Sequence, residues 1–95
     1  MNPTTRLPGR VRFVDSVVLR LGPERGFLFD QRTGRVYSLN ASGVLAAQRI
    51  QEGIPVPVVI AAVEEAFEVD AITLRRDFTR FVAHLVEEGL AETDG

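Results

Sequence analysis

Few residues of this chain have the types and spacing that chemistry requires. His84 is the single histidine and cysteine is absent. A zinc site draws on several cysteine, histidine or carboxylate ligands, and here only His84-x-x-Glu87 puts two donors on one helix face. That pair reads as a partly exposed histidine beside an apolar stripe. Carboxylates cluster as Glu64-Glu65, Glu68 with Asp70, and Glu87-Glu88. General acid–base work needs such groups in a pocket, whereas helix ends and solvated faces carry them routinely. Ser16, Ser38 and Ser42 lack a Gly-x-Ser-x-Gly context and a matched base. No glycine-rich phosphate loop precedes a helix. The expectation is a protein that is not an enzyme, with no catalytic residue, no metal and no cofactor.

A binding mechanism needs less. The stretch Phe27 to Asn40 reads as a strand, a tight turn at Gln31-Arg-Thr-Gly34, a second strand over Arg35–Leu39, and a helix start at Asn40. So little chain follows the second strand that its outer side stays open, and an open sheet edge can take up an extended peptide as one more strand. Main-chain hydrogen bonds would then give affinity, and pockets for alternate side chains would give specificity. Arg35, Val36, Tyr37, Ser38 and Leu39 are the candidate residues on the strand. Alternation sends Val36 and Ser38 to one face and Tyr37 and Leu39 to the other. Leu74, Phe78, Arg76 and Arg80 are the candidates on the long helix that would form the other wall. Arg76 and Arg80 lie four apart and share a helix face, either as solvated partners of nearby carboxylates or as contacts for an acidic ligand.

These groups must be positioned by a small frame. Ninety-five residues make one domain, large enough to bury roughly 60–65% of its unfolded surface. The composition, 45% hydrophobic and 25% charged, is that of a globular protein. The net charge of −2 disfavours a nucleic-acid partner, because phosphate neutralisation dominates that binding. No apolar run approaches the ~18 residues that a membrane span needs. No apolar segment follows the N-terminal arginines, so a signal peptide is not read and a cytoplasmic location is expected.

Residues 1–10, with Pro3, Pro8 and Gly9, read as a flexible lead-in, residues 11–92 as the domain and residues 93–95 as a tail. Val11–Val14 is a candidate short strand, Val17–Leu21 a strand, and Gly22–Gly26 a turn. After Asn40 the period changes from two to about 3.6. A first helix runs to about Glu52 and ends at Gly53, with Val44, Ala47 and Ile50 inward. Pro57 opens a second helix, in which Val58, Ile60, Ala61 and Val63 are apolar. Asp70 caps a third, whose stripe is Leu74, Phe78, Phe81, Val82, Leu85 and Val86. Gly89 stops it, and Leu90-Ala91-Glu92 trails off as coil or a short extended piece. Three or so strands followed by three helices predict an α+β fold with segregated layers.

The ordered set Ser38-Leu-Asn-Ala-Ser-Gly-Val-Leu45, Gln51-Glu-Gly53, Asp77-Phe-x-x-Phe81 and Leu85-Val-Glu-Glu-Gly-Leu90 resembles the coenzyme PQQ synthesis protein D (PqqD) family over about residues 11–92. The resemblance implies a three-stranded antiparallel β-sheet packed on a winged-helix-like three-helix bundle. It also implies a peptide chaperone that binds the leader of a ribosomally made precursor peptide by strand addition at Arg35–Leu39, against the helix Asp70–Glu88. The implied second partner is a modifying enzyme: a radical S-adenosylmethionine enzyme, an ATP-grasp enzyme or a leader peptidase. The chain departs from its relatives at Ala46 and Ala47, where larger apolar or aromatic residues are common, and at Pro55-Val-Pro57. Both departures are expected to lie away from the groove. The competing reading is a winged-helix DNA-binding domain with Arg75, Arg76 and Arg80 on its recognition helix. The acidic balance and the strands-first order speak against it.

Overall fold

The computed structural model describes residues 7–94. Residues 1–6 of the flexible lead-in expected at residues 1–10 lie outside the described residues. The elements are β1 (Arg10–Phe13), β2 (Val17–Leu21), β3 (Gly26–Asp30), β4 (Val36–Leu39), α1 (Ala41–Gln51), α2 (Val56–Phe67), α3 (Ala71–Glu87) and β5 (Ala91–Asp94). Antiparallel β2, β3 and β4 form one sheet in that order. Three helices follow it, as the change of period predicts.

Period-two alternation orients β3. Leu28 and Asp30 are buried, whereas Phe27 and Phe29 are half-covered on the opposite face. Gly26 is required where β3 passes α1, because a Cβ there would lie 2.9 Å from the Val44 side chain. The β3–β4 turn has Gly34 at φ 79°, a conformation that costs glycine little. The buried Asp30 carboxylate accepts from the Arg32 N–H at 3.0 Å. The Ser16 hydroxyl and that N–H hold the Asp30 carboxyl below the usual carboxylate range.

Caps fix the helix starts. Asn40 Oδ1 accepts from the Gly43 N–H at 2.9 Å, and Asp70 Oδ2 from the Thr73 N–H at 3.0 Å. Pro57 lies in the first turn of α2, where its missing donor costs nothing. Gly89, at φ 75°, ends α3. The core gathers Leu28 and Leu39 from the sheet with Ala47 and Ile50, Val59 and Val63, and Phe78 and Leu85 from the three helices.

Several positions differ from the sequence expectation. Val58 is 54% and Val86 42% exposed. Ala61 is exposed and Phe81 is half-buried. Ala46 is buried and Val44 is not fully so. Helical period marks an apolar stripe but leaves its rotation to whatever packs on it. A second difference is larger. The segment after Gly89, expected as coil or a short extended piece, forms the strand β5 and pairs antiparallel with β1, Arg10 facing Asp94 and Phe13 facing Ala91. Arg10, Thr93 and Asp94, expected in the lead-in and tail, therefore belong to a two-stranded ribbon. Leu90 and Ala91 are buried beside it, and Arg12 pairs with Glu92.

Candidate functional site

β4 ends the sheet order, so among the described residues its far side has no strand neighbour. The Asp30 N–H donates to the Arg35 carbonyl at 2.9 Å. Hydrogen-bonded pairs alternate along an antiparallel ladder. With Phe29 facing Val36 and Leu28 facing Tyr37, Tyr37 and Leu39 direct their backbone groups to β3. Val36 and Ser38 therefore direct theirs outward. These are the two N–H and two C=O groups that an added strand would meet.

The side chains divide as parity requires. Val36 is 60% exposed and Ser38 is exposed, both on the sheet's outer face beside Phe27 and Phe29. Tyr37 turns toward α3. Its ring lies 5.1 Å from His84, edge-on at 76°, and 6.1 Å from Phe81. Burial, with the nearby Glu88 carboxylate, raises the Tyr37 phenol above its ordinary value. Arg35, just before β4, pairs with Glu88. Leu39 is 3% exposed, so it supports the floor of the groove from within the core.

Phe81 and His84 of α3 meet Tyr37 of β4, and Glu88, the C-cap residue of α3, reaches Arg35; the three are spaced three and four apart. Asp77 lies four residues earlier on the same stripe, since successive positions advance by about 100°. Arg76 and Arg80 are exposed and off that stripe. Arg80 is the nearer of the two by helical angle, and Arg76 lies 4.0 Å from Asp77. Leu74 and Phe78 are buried, and both line a cavity of about 190 Å³. The slot, which is open to solvent, is lined on its other sides by Val63 of α2 and by Ser42, Gly43 and Ala46 of α1, with the exposed Asn40 and Asp77 at its margin. Phe81 lines it too, so the slot and the Tyr37 groove share a wall.

Ala46, expected to lie away from the groove, is thus a slot residue. Sequence reasoning also left out His84, Glu88 and Asp77 as groove residues. The i+3 and i+7 spacing of His84 and Glu88 from Phe81 is the signal that the sequence offers. Among the described residues no cluster of three or more histidines or carboxylates could hold a metal, and no helix is long and apolar enough to cross a membrane.

A three-stranded sheet whose β4 edge is lined by the last of three helices defines a small α+β domain with a strand-edge groove. The chain belongs to the coenzyme PQQ synthesis protein D (PqqD) family, whose family model matches residues 25–91. It is similar to the solved structure of TbiB1 in complex with the TbiA(beta) leader peptide, with TM-score 0.78 and 26% identity over 85% of this chain and 94% of that one. It is also similar to lasso peptide synthetase B1 complexed with the leader peptide, with TM-score 0.76 and 25% identity over 87% and 98% of the two chains. No curated protein matches it.

Proposed function

We propose that this chain is a non-catalytic peptide chaperone that binds the leader of a ribosomally made precursor peptide. The leader adds as a strand to β4 and lies in the groove against α3. It is presented there to a modifying enzyme: a radical S-adenosylmethionine enzyme, an ATP-grasp enzyme or a leader peptidase. The observation that carries this reading is the outward backbone of Val36 and Ser38 beside the aromatic wall of Tyr37 and Phe81. The two similar structures, both leader-peptide complexes, support it. Neither they nor the family match lends support to duplex-DNA binding.

Magnitudes show that both parts of the site are needed. A backbone hydrogen bond contributes about 0.5–1.5 kcal/mol net, so the outward groups of β4 supply a few kcal/mol at most. Association costs an estimated 4 kcal/mol or more. Burying an apolar side chain of the peptide adds about 1.5–3 kcal/mol. Strand addition alone therefore binds weakly, and side-chain pockets must bring the affinity to a useful range.

The test is amide exchange of the domain, with and without the leader of a short precursor encoded beside it. Binding slows exchange at Val36 and Ser38, and leaves Tyr37 and Leu39, already bonded to β3, nearly unchanged. Protection confined to α3, with unchanged exchange along β4, would replace strand addition by a helix-in-groove mode.

A further inference from the structure

We propose that the slot beside β4 selects one leader side chain by size and that Ala46 sets that size. This rests on the leader-binding reading above and deepens it. A strand bonded to Val36 and Ser38 alternates its own side chains. Its residues opposite Tyr37 and Leu39 face the helices, and those opposite Val36 and Ser38 join the outer face. The position opposite Leu39 comes nearest the slot, because Asn40, the next residue of this chain, stands at the slot's margin.

The walls define the occupant. Ala46, Val63, Leu74, Phe78 and Phe81 give it mostly apolar walls, with Ser42 and Gly43 beside Ala46, and the cavity measures about 190 Å³. An apolar cavity of about 150 Å³ is enough to hold a benzene molecule. The slot therefore fits a phenyl ring or a branched aliphatic group. Asp77 at its margin is 58% exposed at its side chain and disfavours an acidic residue there. Ala46 is the smallest of the apolar wall side chains and is buried, at 4% exposure. A larger residue at position 46 fills the slot from the α1 side, without touching the outward backbone of β4.

The experiment selects binders from a displayed library of random peptides, against the unaltered domain and against Ala46→Leu. Amide protection at Val36 and Ser38 identifies the edge binders in each pool. Edge binders of the unaltered domain are expected to share a Phe, Leu or Ile at one position. A synthetic copy of such a peptide loses at least tenfold in affinity for Ala46→Leu. Truncating that one residue to Ala or Val recovers most of the loss on the variant, while weakening binding to the unaltered domain. Val63→Ala, which enlarges the slot, shifts the preference toward larger side chains and covers the case in which Ala46→Leu does not fold. The same side-chain preference in all pools, with β4 protected, overturns the slot assignment and leaves strand addition standing. Pools without any β4-protecting peptide overturn both.

Discussion

Replacing Ser38 by proline tests strand addition at the position where the geometry makes the sharpest demand. The Ser38 N–H faces away from β3, so proline there leaves the β3–β4 ladder intact. The residue before it, Tyr37, is already extended, as a pre-proline residue prefers. Stability should change by less than about 1 kcal/mol. Binding should suffer more. The lost donor leaves a leader carbonyl unpaired in a partly dry groove, which costs about 1–3 kcal/mol, or roughly a 5- to 150-fold rise in Kd at 1.4 kcal/mol per decade. Crowding by the ring acts in the same direction. Tyr37→Pro is the converse variant: it removes a bond within the sheet and should lower the melting temperature. Calorimetric titration with the precursor leader, beside thermal melts of each variant, separates the two effects. A Ser38→Pro protein that melts normally and binds the leader as tightly as the unaltered chain would refute the edge argument. Ser38→Ala, which keeps the N–H, should bind within a few-fold of the unaltered domain.

Phe78→Ala should destabilise by about 3–5 kcal/mol in denaturant melts, because the ring is buried at 4% exposure; Phe81→Ala should cost less, on the order of 1–2 kcal/mol, since its ring is only partly covered. Charge reversal at both Arg76 and Arg80 should leave the fold intact and weaken an acidic leader by a few-fold per site, as rim ion pairs are worth about 0.2–1 kcal/mol; calorimetry on Arg80→Glu and Arg76→Glu separately should show the larger loss at Arg80. Asp30 has a depressed carboxyl pKa, so its contribution to stability is fully present above the unfolded value of about 3.9 and is lost as pH falls through the folded value. Melting temperature against pH should accordingly fall less steeply below about pH 4 for Asp30→Asn than for the unaltered chain. The purified domain should carry no stoichiometric zinc or iron by elemental analysis.

Local chemistry determined much of this protein before any packing was known. Asn40 and Asp70 announce helix starts because their short side chains satisfy N–H groups two or three residues ahead, wherever the helix later docks. Gly34, Gly53 and Gly89 mark turns and stops because positive φ is cheap for glycine alone. The order of strands then helices, and the open β4 edge, follow from the spacing of these signals and the change of period from two to 3.6.

Tertiary structure decided what those signals leave free. The β1–β5 ribbon joins segments about eighty residues apart in sequence; each is legible as a possible extended piece, but no turn connects them and so nothing local shows that they pair. The rotation of α1 and α3 about their axes is set by the partners they meet. That rotation put Ala46 and Asp77 at the slot, left Val86 exposed, and turned Phe81 and His84 toward Tyr37 of β4. Parity showed that Tyr37 and Leu39 share a face, but only packing against α3 could show which face is inward. The same packing made Tyr37 a wall and Leu39 its buried support.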